Sequence, residues 1–455
     1  MNIKQLHTVF FIGIGGIGMS ALARYFKHQG FNVLGYDKTP NPVTKALRDE
    51  DIEIHFSDDV SWAKEQLTGV SLSEIVVVYT PAVPFNLGIK TYFESENVRI
   101  IKRAEALGIV TQQTTNLSIA GTHGKTTTSC LLAHILSVSE IPQVAFLGGI
   151  SSNLNSNYYN TLKENTTSVS VTEADEFDRS FLHLTPKYAA ITNMDADHLD
   201  IYGDKDSLTK SFIEFGDNVN PDGKLFVQAD CQNEFKRPII TYGIEQGHIS
   251  ARNVHIHEGQ FIFDLYLDSD VFRLLKLGIP GKHNIENAVA ASCIALEMGV
   301  SEDQLRNALE TFKGVKRRFE YVVNTKEHVF IDDYAHHPTE LKAIISATKE
   351  LYPSKKITGI FQPHLFTRTR DFMDEFAESL SLLDEIILLD IYPARELPIE
   401  GVDSQVLLEK IRTKKSLETK ERAINKIASE LPEVLLTLGA GDIDSIIQPL
   451  KSLYV

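Results

Sequence analysis

Short apolar runs alternate with amphipathic stretches along most of the chain. Val9–Ile12, Asn32–Tyr36 and Glu74–Tyr79 have the length and content of strands, and Ile17–Gln29 repeats its apolar positions at helical spacing. Strands alternating with helices predict a parallel sheet covered on both faces. The polar stretch Thr111–Asn116 predicts a linker, and a second α/β unit follows it. There the strand Leu117–Ala120 leads into a helix from about Lys125 to Ser137, and further strands are expected at Ser168–Val171 and Tyr188–Ile191. Gln260–Leu277 alternates apolar and polar residues, as a half-exposed antiparallel ribbon does. A helix is expected from about Asn284 to Met298, and Ser301 suits the N-cap of another. A third unit begins near Val315, with strands at Val329–Ile331, Ile357–Phe361, Glu385–Leu389 and Val434–Leu438. Three units suit a chain of 455 residues, given roughly 150 residues per domain.

Charge narrows the partners. The formal net charge is −16, so the surface repels phosphate backbones and anionic membranes. Nucleic acid and membrane insertion are therefore not expected. No apolar run reaches the roughly 18 residues of a membrane span, and the N-terminus lacks a leader layout. Cys130, Cys231 and Cys293 show no metal spacing, and two of them lie in apolar helical runs. A cytoplasmic location is the expectation.

Chemistry concentrates where strands end. Gly13-Ile14-Gly15-Gly16-Ile17-Gly18 fits G-x-G-x-x-G between a strand and a helix, and Asp37 ends the next strand. Glycines let a diphosphate approach the backbone, and the helix N-terminus supplies N–H donors. The literal reading is NAD. The broader one is any diphosphate, including that of a nucleotide sugar, and a plain tight turn would also use glycines.

Gly121–Thr128 (GTHGKTTT) is the stronger signal. Gly124-Lys125-Thr126 matches the end of a P-loop, in which backbone N–H groups cradle phosphates, the lysine neutralises them and the hydroxyl ligates Mg²⁺. Ile119 stands where the strict pattern has its first glycine, so the loop is a shortened variant. Glu173-Ala174-Asp175-Glu176 and Asn193–Asp200 (NMDADHLD) follow the next two strands, where a P-loop domain would hold its metal.

The third unit repeats this layout. Lys316-Arg317-Arg318-Phe319 is a basic knot, read as a solvated charge run or as a hinge arginine reaching a nucleotide. Asp332–Pro338 (DDYAHHP), Gln362-Pro363-His364 with Thr367–Arg370 (TRTR), and Gly439–Asp442 (GAGD) follow three strands. Ligands of open α/β sheets bind at such edges, and arginines there suit carboxylates. His255 and His257, alternating along one strand, read as a surface strand and not as a metal site.

The segments GIGGIGMSALA, GTHGKTTT, EADEFDRSFLHL, TNMDADHLDIY, GKHNIENA, GVKRRFE, DDYAHHPTE and FQPHLFTRTRDF, in this order, resemble the Mur ligases of bacterial cell-wall synthesis. The likeness covers nearly the whole chain. It implies an α/β protein of three domains: a Rossmann-like domain for a UDP-sugar over residues 1–112, a central P-loop-like ATPase domain with a mostly parallel sheet over 113–314, and a Rossmann-like amino-acid domain over 315–455. The first glycine loop would then hold the diphosphate of UDP.

What the resemblance implies for chemistry is equally specific. UDP-N-acetylmuramate, ATP and L-alanine would be the substrates, with Mg²⁺, or Mn²⁺, as metal. Lys125, Glu173 and His198 would be catalytic, and Thr126, Glu173 and His198 would hold the metal. ATP would meet Gly121, Thr122, His123, Gly124, Lys125, Thr126, Thr127, His283, Asn284, Arg318 and Asp333. The UDP-sugar would meet Gly13, Gly15, Gly16, Gly18, Asp37, Arg103, His123 and Asn193. Tyr334, His336 and Arg368 would receive the amino acid. The chain would act as a monomer or weak homodimer. Leu365 departs from the arginine that relatives often carry there, and Lys210 stands near the place of a lysine that some relatives carbamylate. The competing readings are a recycling ligase that adds a tripeptide, an NAD-dependent dehydrogenase, and a P-loop regulatory module.

Overall fold

A computed structural model describes residues 6–162, 168–196, 199–233, 235–394 and 396–454. They form two compact units, one of Met1–Ser250, Tyr266–Val271 and Asn287–Ala308, the other of Ala251–Leu265, Phe272–Glu286 and Leu309–Val455.

The first unit opens with five strands: β1 (Thr8–Ile12), β2 (Asn32–Tyr36), β3 (Glu53–His55), β4 (Ile75–Tyr79) and β5 (Arg99–Lys102). They pair in parallel in the order β3-β2-β1-β4-β5. Strand order reverses between β1 and β4, so the loop after β1 opens where doubly wound sheets bind ligands. Its second sheet contains β6 (Thr115–Ala120), β7 (Gln143–Ser151), β8 (Ser156–Asn160), β9 (Val169–Glu173), β10 (Tyr188–Ile191), β11 (Lys224–Gln228) and β12 (Ile239–Ile244). These run in the order β12-β11-β10-β6-β9-β7-β8, and only β8 is antiparallel to its neighbour. Between β9 and β10, β6 sends its C-terminal loop to the middle of the carboxyl edge.

Most of β13 (Ile249–His257), β14 (Gln260–Tyr266) and β15 (Val271–Leu277) belongs to the second unit. His255 and His257 are exposed on β13, as expected for a surface strand. The expected alternation holds only in β15, because Phe261–Leu265 of β14 are buried throughout. The second unit also carries β16 (Glu320–Asn324), β17 (Val329–Asp333), β18 (Ile357–Phe361), β19 (Glu385–Leu388), β20 (Lys414–Leu417) and β21 (Val434–Leu438), in the order β16-β17-β21-β18-β19-β20. Consecutive residues of a strand face opposite sides, and here both sides are apolar. Ile331, Phe361 and Leu436 enter one core, and Phe330, Ile360 and Leu435 enter the other.

A second expectation is met only in part. The expected linker Thr111–Asn116 shrinks to residues 112–114, because a helix ends at Thr111 and β6 starts at Thr115. Asn116 is buried, and its Nδ2 donates to Ser170 Oγ at 2.9 Å and Thr172 Oγ1 at 3.1 Å. Polar side chains satisfied across β6 and β9 imitate a loop composition inside a sheet.

Candidate active site

The loop after β1 is built from its glycines. Gly13 has φ +85°, and a Cβ there would stand 2.5 Å from Thr80 Cγ2, beyond the end of β4. The Gly15 N–H donates to Asp37 Oδ2 at 2.7 Å, while Thr39 N donates to Oδ1. Asp37 thus closes the loop with its own carboxylate. Gly16 caps the helix Ile17–His28 without a side-chain acceptor, leaving first-turn amides for an anion. Arg103 lies against Gly18, where a Cβ would be 2.9 Å from Nη1, and its Nη2 donates to Asp175 Oδ2 at 3.0 Å. A cavity of about 360 Å³ joins these parts. Gly16, Gly18 and Arg103 line it together with Gly148, Glu173 and Asp175.

Beyond β6 the backbone must take conformations that side chains resist. Gly121 has φ +134° and Gly124 has φ +80°. A Cβ on the first would overlap Thr192 Oγ1, and on the second Asn287 Oδ1. Lys125 opens the helix Lys125–Val138, and its Nζ turns back to the carbonyls of Gly121 at 2.6 Å and Thr122 at 3.2 Å. The same Nζ lies 2.8 Å from Oε2 of the fully buried Glu176. Burial alone would lower the lysine; Glu176, Glu173 and Asp175 outweigh it and hold the ammonium above its ordinary range. Thr126 and Thr127 follow on the first turn.

The loop after β10 braces this one. The Thr122 hydroxyl donates to Asn193 Oδ1 and accepts from Asp195 N, and the Thr192 hydroxyl donates to the carbonyls of Ala120 and His123. His123 Nε2 stands 3.8 Å from Asp195 Oδ2. Asn193 therefore touches the P-loop side of the site. Glu173 ends β9 in register with Ile119, and the N–H of Gly148 donates to its Oε2 at 3.1 Å. His198 lies outside the described residues.

The carboxyl ends of β17, β21 and β18 are adjacent in the second unit. Arg317 and Arg318 sit on the Tyr334 ring, each 5.2 Å from its centroid. Arg317 also donates to the buried Asp332 at 3.0 Å, and Arg318 stands 3.5 Å from Glu340. Both oxygens of Asp333 are taken by backbone, Oδ2 by Phe319 N and Oδ1 by Ala335 N. Burial pushes Asp333 up to about 6, against the pull of Arg318. His336 stands 3.3 Å from Glu340, with its ring 6.2 Å from that of His364, which stacks on Tyr392. Arg368 is buried in the helix Phe366–Asp371, whose first turn Glu396 holds by accepting from Thr367 N and Oγ1. Leu365 precedes that helix with φ +71°. His283 feels the charges of Glu340 and Arg318, and burial lowers it to about 4. Asn284 Nδ2 donates to Pro280 O at 2.6 Å.

The described members of the expected set fall in three places: the cavity beside the first glycine loop, the loops after β6 and β10, and the second unit's carboxyl edge with His283 and Asn284. Sequence reasoning gave no role to Gly148, Asn287, Glu340 or Glu396, and it placed Glu176 in an acidic metal cluster where the structure pairs it with Lys125. Glu340 had a signal, since it stands three residues after His337 in a capping pattern. The glycine pair Gly148–Gly149 inside an apolar run was another.

Three family models match the chain: the Mur ligase family catalytic domain over residues 8–115, the Mur ligase middle domain over 119–295, and the Mur ligase glutamate ligase domain over 317–441. A UDP-N-acetylmuramate–L-alanine ligase of Flavobacterium johnsoniae is 47% identical, with 100% of this chain and 99% of that protein covered. One of Christiangramia forsetii is 49% identical over 99% of this chain and 98% of that protein. Among solved structures, the UDP-N-acetylmuramate-alanine ligase MurC of Thermotoga maritima superposes with a TM-score of 0.80 at 26% identity, covering 98% of this chain and 99% of that one. The chain belongs to the Mur ligase family.

Proposed function

We propose that this Mur ligase joins L-alanine to the lactyl carboxylate of UDP-N-acetylmuramate, converting ATP to ADP and phosphate. One observation carries the reading. The cavity of about 360 Å³ has the glycine loop and Arg103 on one wall and Glu173 and Asp175 on another. A sugar nucleotide anchored there by its diphosphate would extend its carboxylate toward Glu173, which ends the strand beside β6 and its loop. The names of the curated relatives support the same substrates.

In this reading a carboxylate oxygen attacks the γ-phosphorus and ADP leaves. The alanine amine then attacks the acyl carbon, the amide forms, and phosphate departs with the oxygen that had attacked. The enzyme's part is positioning and charge neutralisation. Gly121–Thr127 cradle the phosphates, and Lys125 meets the γ-phosphoryl group. Thr126 and Glu173, with His198, would hold a divalent ion, Mg²⁺ or in its place Mn²⁺; hydroxyl and carboxylate oxygens beside phosphates suit such hard cations. When bound, the ion would supply charge neutralisation to the transferring group. Gly13, Gly15, Gly16, Gly18 and Arg103 take the diphosphate, and Asp37 shapes their loop. His123 and Asn193, both on the P-loop side of the site, are assigned to the reacting end of the sugar. His283, Asn284 and Arg318 are assigned to the adenine nucleotide, and Asp333 to a supporting role, since both its oxygens are engaged by backbone. Tyr334, His336 and Arg368 receive the alanine. The division at 112/113 and 314/315, a cytoplasmic site of action and a monomer or weak homodimer complete the proposal.

The test is phosphate release from ATP with UDP-N-acetylmuramate and, separately, L-alanine, L-serine, glycine and the recycled tripeptide. Turnover fastest with L-alanine supports the reading. Phosphate release that needs no sugar nucleotide, or turnover with tripeptide alone, overturns it.

A further inference from the structure

The helix that follows the first glycine loop is gripped by the β7–β8 hairpin through one buried amide. Asn157, on β8, is 2% exposed. Its Nδ2 donates to the carbonyl of Ile17 at 2.6 Å and to Ser20 Oγ at 3.0 Å, and its Oδ1 accepts from Arg24 Nη1 at 2.6 Å. Glu50 holds Arg24 in turn through three bonds of 2.8 to 2.9 Å. Rings close around the contact: Tyr25 lies 5.6 Å from Phe146, and His28 stacks on Tyr158 at 5.4 Å. Apolar surfaces slide at little cost, whereas a buried amide with directed partners fixes one register.

The other strand of the hairpin reaches the chemistry. β7 pairs with β8 from Val144↔Asn160 to Phe146↔Tyr158 and again at Ser151↔Ser156. Between these pairings the Gly148 N–H donates to Glu173 Oε2, and a side chain at Gly148 would overlap that carboxylate. Leu147 and Gly148 wall the cavity that Gly16 and Gly18 also line. One hairpin therefore holds the glycine-loop helix with β8 and the Glu173 carboxylate with β7.

We propose that Asn157 is a positioning residue that fixes the separation between the first glycine loop and Glu173, and so aligns the sugar carboxylate with the phosphate it attacks. The inference rests on the ligase reading above. A misplacement of about 1 Å between reacting groups costs about 100-fold in rate.

The experiment uses the full chain and Asn157→Ala. It measures kcat, KM for each substrate, calorimetric Kd for UDP-N-acetylmuramate and for ADP, and Tm. The expected result is a kcat lowered at least about tenfold, with both Kd values within about twofold of wild type. Gly148→Ala, acting through the other strand, should lower kcat as well, and the two losses together should fall short of multiplicative. Should Asn157→Ala not fold, Ser20→Ala, which removes one partner of the amide, and Gly148→Ala carry the same readout. Wild-type kcat in Asn157→Ala overturns the inference. So does a parallel weakening of both ligands with a lowered Tm and unchanged kcat, the signature of a merely structural contact. A wild-type chain without alanine-dependent phosphate release overturns the ligase reading itself.

Discussion

Lys125 and Glu176 form a buried ion pair, with Nζ 2.8 Å from Oε2 and the carboxylate wholly shielded from solvent. The lysine also bonds two carbonyls of its own loop, so its ammonium is held over the phosphate cradle before any nucleotide arrives. Removing one partner of such a pair leaves a buried uncompensated charge, which costs about 3–5 kcal/mol. Lys125→Met should therefore lose stability as well as turnover. The double variant Lys125→Met/Glu176→Gln should regain most of the stability and none of the activity. Urea midpoints and phosphate release measure both, and a Lys125→Met chain as stable as wild type would show the pair to be idle.

Gly121→Ala should disable ATP binding selectively. The backbone there is left-handed, and a methyl group would overlap Thr192 Oγ1, whose hydroxyl bonds the carbonyls of Ala120 and His123. The expected outcome is a Kd for ADP raised at least about tenfold, from strain of about 1–3 kcal/mol, with the UDP-sugar Kd unchanged. Equal weakening of both ligands would mean that the two loops do not divide the nucleotides between them.

Arg368 is buried, and its helix is held at the first turn by Glu396. Arg368→Ala should raise the KM for L-alanine at least about tenfold, the scale of a lost charge-assisted hydrogen bond, with the KM for ATP little changed. Glu396→Gln should move the same parameter less. An unchanged alanine KM in Arg368→Ala would remove this residue from the amino-acid pocket.

Acid should destabilise the second unit through His283. Burial, with Arg318 adding to it, lowers this group to about 4 although Glu340 pulls the other way. An unfolded histidine takes its proton near 6.5. Between these values the unfolded chain binds more protons, so stability present above about 6.5 is lost as pH falls toward 4. His283→Gln should gain on wild type steadily through that window in urea midpoints. Parallel pH profiles would place His283 outside the buried cluster.

Much of this was legible where local pattern decides. β2, β18 and β21 lie where their apolar runs end, and both glycine loops fall between a strand and a helix. The pairings across long separations were not legible. Lys125 meets Glu176 at a sequence distance of 51, and Arg24 meets Asn157 at 133; neither leaves a periodic trace. Asn116 misled for a physical reason, since a polar residue satisfied inside a sheet looks like a loop residue. Asp37 stood where the dinucleotide fingerprint has its acid but spends its carboxylate on Gly15 and Thr39. Leu365 gave no sign of its positive φ, which it takes where its N–H donates to the carbonyl of Tyr392, 27 residues further along the chain.

The central claim is that ATP bound at Gly121–Thr128 is used to activate the sugar's carboxylate. Oxygen transfer tests it most directly. UDP-N-acetylmuramate labelled with ¹⁸O in both lactyl carboxylate oxygens is turned over with ATP and L-alanine, and the released phosphate and the amide product are weighed by mass spectrometry. The account predicts one ¹⁸O in each phosphate and one retained in each amide. Phosphate free of ¹⁸O would contradict it, because no acyl phosphate would then have formed.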